Sequence, residues 1–300
     1  MSQPAIPAFF IGCVRSSDVA LATLLDDPAI DVRGVLTLKA SKFNADFVDI
    51  SARATAAHVP VHYAEDADQD ALAALLRSAG VQLLFVVGWS RLLGTDILSI
   101  PKIGTVGYHP AALPANRGRH PLIWALALGL EETASTFFLM DEGADSGPVL
   151  DQEPLAIAPD DDAATLYDKA LAVIPDQLRA ITKGLAEGTL KPGPQDHSKA
   201  TYWRKRGAAD GLIDWRMPAT GIHNLVRALT KPYIGADFRV GDDLVKLWRC
   251  AIVDHAVPVN AEPGKVLATG SEGLIIKAGV GAVRLIETGT MPTLKEGDYL

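Results

Sequence analysis

Cysteine is scarce in this chain of 300 residues: Cys13 and Cys250 are the only two, far apart and in no metal-like spacing. That argues against a disulfide framework and a thiolate zinc site, and suits two free thiols in a reducing compartment. Long apolar runs are also lacking. The best of them, such as LLFVVGW at 83–89, falls well short of the roughly 20 residues that cross a bilayer. The opening MSQPAIPAFFIG carries no basic n-region of a secretory signal. A cytoplasmic protein with no membrane partner is expected. Positive charge is in deficit, with 28 Lys or Arg against 36 Asp or Glu and a net charge of −8. The deficit is uneven. Residues 1–200 hold 15 basic against 25 acidic side chains, while residues 201–300 hold 13 against 11. An acidic surface repels a phosphate backbone unless a local basic patch overrides it. Any anionic partner is therefore expected at the C-terminal third.

Two nucleotide motifs are missing as well. No GxGxxG follows the first apolar run, and there is no P-loop. His58 and His62 have i, i+4 spacing, but Val59, Pro60 and Val61 between them break a helix, so no metal site is expected.

What is present is an alternation. Residues 7–13 form a short apolar run, followed by a helix-like segment with Ser16 or Ser17 as its cap. Residues 31–38 read as a buried strand, 51–58 as a helix and 59–63 as a short strand. Residues 68–80 read as a helix closed by Gly80. Residues 81–89 form a continuous apolar strand of the kind found in parallel sheets covered on both faces. This order implies an α/β fold with a doubly wound, mostly parallel sheet. Ligands of such sheets sit outside the carboxyl ends of the strands, which makes Gly88, Trp89, Ser90, Arg91 and Leu92 a natural rim.

Residues 163–187 carry Leu166, Ala170, Ile174, Leu178, Ile181 and Leu185 at helical spacing. Acidic residues precede this helix, and Gly188 can end it. The turn-rich stretch 188–203 loses all periodicity and reads as linker. Beyond it lie one helix over 218–230 and a series of short β-rich runs separated by glycines. The expected organisation is a catalytic domain over 1–190, a linker over 191–208 and a smaller β-rich domain over 209–300.

The informative block is 104–153. A histidine, His109, follows a short apolar segment at the start of a Pro- and Gly-rich loop. Further on, MDEGADSG places acidic residues in a Gly-rich turn between the strand-like runs STFFLM and PVLDQE. A carboxylate brought beside an imidazole orients the ring and favours its protonated form.

This block resembles the folate-dependent formyltransferase family, whose signature is Asn-x-His-x-Ser-Leu-Leu-Pro, then Arg-Gly, then an Asp-x-Gly-type loop. The resemblance holds at His109, Pro110, Leu113, Pro114, Arg117, Gly118, Pro121 and Trp124, and continues to Asp145. It extends to the segment 86–104 and to ADGLIDW and HNLVRAL in the C-terminal part, so it covers nearly the whole chain.

The resemblance implies the formyltransferase fold and 10-formyltetrahydrofolate as formyl donor. It implies a catalytic pair, His109 and Asp145, and a donor pocket at Gly88, Trp89, Ser90, Arg91, Leu92, Met140, Asp141 and Gly143. Arg117, Arg119 and Arg204 are the candidates for acceptor binding. The pattern departs at Gly107, where the family has an asparagine that donates to the reacting oxygen, and at Ala111 and Ala115. A backbone N–H, a water or another side chain such as Asn116 then replaces the amide, or the chain binds without efficient turnover.

The C-terminal domain argues against the short purine-pathway members. The weak positive charge of the C-terminal third, and the few basic residues in 41–47, favour a nucleotide-linked amino sugar over methionyl-tRNA as acceptor. Hydrolysis of the donor and a non-catalytic folate- or sugar-binding role stand as alternatives. The oligomeric state is open between monomer and homodimer.

Overall fold

A computed structural model describes residues 4–41, 45–66, 68–253, 257 and 260–300. Residues 42–44 of the 41–47 stretch, and His255, lie outside the described residues. In chain order the elements are β1 (Ile6–Ile11), α1 (Arg15–Leu25), β2 (Ile30–Thr37), α2 (Ser51–Ala56), β3 (Val61–Tyr63), α3 (Gln69–Ser78), β4 (Leu83–Val86) and α4 (Thr95–Leu98). There follow β5 (Gly104–His109), β6 (Arg117–Gly118), α5 (Pro121–Ala127), β7 (Glu132–Leu139), β8 (Val149–Ala156), α6 (Ala163–Glu187) and β9 (Tyr202–Trp203). The last elements are α7 (Ala219–Leu229), β10 (Ala236–Val240), β11 (Asp243–Val253), β12 (Val266–Ala268), β13 (Ile275–Lys277) and β14 (Ala282–Thr288).

The chain divides into two compact units. The first comprises residues 1–121, 133–155 and 168–203; the second comprises 122–132, 156–167 and 204–300. The first is built on a seven-stranded sheet in the order β3-β2-β1-β4-β5-β7-β8. The pairs from β3 to β5 are parallel, and β7 joins β5 antiparallel. The central strands β1 and β4 are apolar and buried because helices cover both faces: Phe9, Phe10, Ile11, Leu83, Leu84 and Phe85 are all almost fully enclosed.

Local signals explain the helix ends. Asp68 caps α3 through the Ala71 N–H, and Gly80 follows with φ 60°. Asp162 accepts from the Ala164 and Thr165 N–H groups at the head of α6, and Gly188, with φ 68°, follows its end. Along α6, Leu166, Ala170, Ile174, Leu178 and Ile181 are fully buried, so truncating any one of the leucines or isoleucines costs about 2–5 kcal/mol. The start of α1 differs from the sequence expectation. The helix begins at Arg15, and Ser17 lies inside its first turn. The Ser17 hydroxyl takes the N–H groups of Cys13 and Val14 and donates to the Val87 carbonyl, tying the end of β1 to the end of β4.

The second unit is centred on a five-stranded antiparallel sheet, order β10-β11-β14-β13-β12. Ile222, Val226 and Leu229 of α7 are buried, and Trp215 meets Phe238 edge-on at 5.8 Å.

The stretch 188–203, read from the sequence as linker, belongs to the first unit. Gly193 bridges to Val149, and β9 pairs in parallel with β6. Periodicity failed to show this because the stretch contributes single polar contacts and a two-residue strand instead of an apolar face.

Candidate active site

His109 ends β5, and alternation along that strand puts Gly107 and His109 on one face. The loop that follows is fixed from below. Thr136 Oγ1 donates to the Ala111 carbonyl at 2.6 Å, and Gln152 Nε2 donates to the Leu113 carbonyl at 3.0 Å. The loop then turns back at Asn116, whose φ is 64°. Its carbonyl oxygen lies 2.9 Å from His109 Nε2. A carbonyl only accepts, so Nε2 carries the proton and Nδ1 of the neutral ring is free to take one.

Asp145 lies in the loop between β7 and β8. Its Oδ2 is 3.6 Å from His109 Nδ1, and the imidazole is almost wholly buried. The same oxygen accepts the Gly118 N–H at 2.8 Å. A proton arriving at Nδ1 therefore creates an imidazolium between a carboxylate and a carbonyl, with little water to screen it. Asn116, His120 and Asp145 all have left-handed backbones, at φ 64°, 56° and 53°. Such conformations cost energy in ordinary residues; at Asn116 and Asp145 they are held by the bonds just described.

The rim residues come together at the end of β4. Gly88 has φ 65°, and a Cβ there would strike Val14 and Ser17. Trp89 packs against the core beside Leu93 and Met140, and its indole Nε1 is buried without an acceptor among the described residues. The Arg91 guanidinium lies over the Trp89 ring at 5.7 Å, and Leu92 is 89% exposed. Arg119 donates to the Ser90 carbonyl at 3.1 Å, joining this rim to the His109 loop. Met140 N–H donates to Thr105 O. Asp141 shapes the next turn, accepting from the Gly143 N–H and from the Ser146 hydroxyl.

Gly107 is enclosed. A Cβ at this position would lie 2.8 Å from Met140 Cγ and 3.0 Å from Phe138 Cζ. The volume that an asparagine side chain would need is thus filled by two apolar groups.

The arginines separate. Arg117 is turned inward and is 1% exposed. Its guanidinium donates to Gln195 Oε1 and to Tyr202 Oη, and sits 3.2 Å from His197 Nδ1. These bonds lock β6 to β9. Arg204 belongs to the second unit, where Asp210 takes its guanidinium and Trp124 stacks on it at 5.3 Å. Arg206 covers the same indole at 4.8 Å.

Sequence reading missed Gln195, Thr201 and Tyr202, which lie in the supposed linker. Thr201 Oγ1 accepts the Asn116 N–H and lies 3.3 Å from Asn116 Oδ1. Their one legible signal is the polar and aromatic content of PQDHSKATYW in a stretch otherwise made of turns. Among the described residues no group of three or more His, Cys, Asp or Glu is placed to hold a metal ion, and no helix is long and apolar enough to cross a membrane.

Comparison with known proteins places this geometry in context. Residues 23–178 match the family model described as formyl transferase, and residues 206–292 match that of the formyl transferase C-terminal domain. A protein of Caldanaerobacter subterraneus subsp. tengcongensis named methionyl-tRNA formyltransferase is 37% identical over 227 residues, 75% of this chain and 72% of that one. Among solved structures, an N-formyltransferase from Helicobacter canadensis, in complex with folinic acid and dTDP-3-aminofucose, overlays with a TM-score of 0.69 at 17% identity. The overlay covers 94% of this chain and 99% of that one. A variant of HypX from Aquifex aeolicus overlays with a TM-score of 0.64 at 18% identity; 93% of this chain is covered, but only 43% of HypX.

Proposed function

This chain belongs to the folate-dependent formyltransferase family, and from that membership we propose that it moves the formyl group of 10-formyltetrahydrofolate to the primary amine of a nucleotide-linked amino sugar. When bound, the donor supplies an activated formyl carbon to the attacking amine. His109 and Asp145 are the proposed catalytic pair. As the amine nitrogen bonds to the formyl carbon, His109 Nδ1 takes the amine proton, because Nε2 is already committed to the Asn116 carbonyl, and returns it to the folate nitrogen that leaves when the old carbon–nitrogen bond breaks, giving tetrahydrofolate. Asp145 stabilises the resulting imidazolium, which in turn stabilises the negative oxygen that forms on the formyl carbon. An electrostatic donor of this kind is worth about 3–4 kcal/mol.

The residues at the end of β4 fit a flat heteroaromatic donor. Gly88, Trp89, Ser90, Arg91 and Leu92 with Met140 form one wall of the proposed pocket, and Asp141 and Gly143 shape its far turn. The buried Trp89 N–H, which has no acceptor among the described residues, supports a ligand with acceptor atoms at this place. Arg119 is the proposed contact to the anionic part of a ligand.

Charge carries the choice of acceptor. A tRNA partner calls for a strongly basic face. Here the net charge is −8. The basic triplet Arg204–Lys205–Arg206 is partly neutralised by Asp210, and two of its guanidiniums lie on Trp124. The second reading, methionyl-tRNA as acceptor, is favoured by the name of the 37% identical relative.

The two readings separate in one experiment. The protein is incubated with 10-formyltetrahydrofolate and, separately, with dTDP-, UDP- and GDP-linked amino sugars and with methionyl-tRNA, and products are read by mass. The Helicobacter canadensis structure puts dTDP-linked 3-amino sugars first in the panel. A formyl group on a sugar is the expected result. Formylation of methionyl-tRNA alone establishes the second reading. Formate release with no amine present identifies a hydrolase, and binding without turnover a non-catalytic homologue.

A further inference from the structure

Asp145 has to hold a left-handed backbone and keep its carboxylate 3.6 Å from His109, yet it sits in an exposed, glycine-rich turn. Ala144 and Gly143 before it are exposed, and the Asp141 bonds organise only the first half of the turn. What grips the second half is Gln195. Its side chain is buried, at 8% exposure. Nε2 donates to the Asp145 carbonyl at 2.9 Å and to the Gly147 carbonyl at 2.6 Å. Oε1 is held in turn by the Arg117 guanidinium, at 2.6 Å and 3.2 Å. Arg117 is anchored by Tyr202 Oη, and the backbone of the next residue, Gly118, donates to the Asp145 carboxylate. One amide group therefore links the catalytic loop to the strand pair β6–β9, and that strand pair touches Asp145 a second time through the Gly118 N–H.

We propose that Gln195, oriented by the buried Arg117, is the positioning residue for Asp145 in formyl transfer. It touches no reacting atom. It fixes the two carbonyls that flank Ser146, and so sets the distance from the Asp145 carboxylate to His109. The proposal rests on the reading of His109 and Asp145 as the catalytic pair. A misplacement of about 1 Å in such a group costs up to roughly a hundredfold in rate.

The test is a double-mutant cycle with Gln195→Met and Asp145→Asn, measured on the full chain. The readout is release of tetrahydrofolate from 10-formyltetrahydrofolate, which reports transfer to either class of acceptor as well as hydrolysis. Expected is a fall in kcat of roughly tenfold to a hundredfold for Gln195→Met. The donor KM should stay within about twofold, and Gln195→Met should add less than about twofold in the Asp145→Asn background. Gln195→Glu keeps an oxygen for Arg117 but loses the two N–H donations, so it should match Gln195→Met in kcat while leaving Arg117 paired. It also serves as the test if Gln195→Met fails to fold. Normal kcat in Gln195→Glu, or the same loss in both backgrounds, would overturn the positioning role. If Asp145→Asn itself runs at the normal rate, or the unsubstituted protein releases no tetrahydrofolate, the catalytic pair has been misread and the proposal falls with it.

Discussion

Asp145 Oδ2 stands 3.6 Å from His109 Nδ1, within ion-pair range but beyond a hydrogen bond, and the opposite ring nitrogen is held by the Asn116 carbonyl. The ring is thus oriented by the protein itself, and Nδ1 faces the carboxylate. Such contacts commonly shorten only in the reacting complex. Asp145→Asn keeps an oxygen for the Gly118 N–H but removes the charge that stabilises the imidazolium. Turnover should fall by about a hundredfold or more, and His109→Ala should do the same. The double variant should be little worse than either single one, because the two residues act as a unit. Steady-state rates with saturating donor check this; near-normal turnover in both single variants would sink the mechanism.

Gly107 bears on the missing asparagine. A Cβ added there would lie 2.8 Å from Met140 Cγ and 3.0 Å from the Phe138 ring. Gly107→Asn should therefore overpack the site, lowering stability by about 1–3 kcal/mol, and should reduce activity instead of raising it. Opening space by Met140→Ala in the same protein should recover part of the lost stability. Thermal midpoints of the two variants and of the unsubstituted protein decide the point, and a faster enzyme from Gly107→Asn alone would show that this departure from the family pattern is a simple loss.

Much of this was legible in the sequence, for reasons that also explain the rest. The alternating run from β1 to β4 and the long stripe of α6 were readable because many residues repeat one preference at a fixed period. The approach of His109 and Asp145 to one another was readable because a histidine after an apolar segment and an acid in a glycine-rich turn stood in a matching pattern. Gln195, Thr201 and Tyr202 were not. Each acts through a few polar contacts to residues far away in sequence, and such contacts leave no period. The direction of Arg117 was also hidden, since an arginine beside a glycine looks the same whether it faces a ligand or the interior.

That inward direction makes a prediction of its own. Arg117 is 1% exposed, and its donors go to Gln195, Tyr202 and the His197 ring. Replacing it by methionine strands the Gln195 oxygen and the Tyr202 hydroxyl. The unfolding free energy should drop by about 3 kcal/mol. Arg117→Lys should recover little, because an ammonium cannot reach all of these partners from one point. In variants that remain folded, the donor KM should be close to normal. A large rise in KM with unchanged stability would instead make Arg117 a ligand-binding residue.

The second unit should show a pH dependence that belongs to His223. Burial lowers the pKa of this ring from its ordinary 6.5, and the neighbouring Arg227 pushes it in the same direction. The folded ring therefore stays neutral just below pH 6.5, while the unfolded ring picks up a proton. The unfolded state binds more protons there, so stability is complete above that pH and is lost as the pH falls. His62, lowered by burial in the first unit, adds a loss of the same sign. The thermal midpoint should fall between about pH 7.5 and 5.5, a window that brackets the ordinary histidine pKa. His223→Gln, which cannot take up a proton, should flatten part of that slope. Equal slopes for the two proteins would mean that the ring titrates alike in the folded and unfolded chains, and that burial beside Arg227 does not hold it neutral.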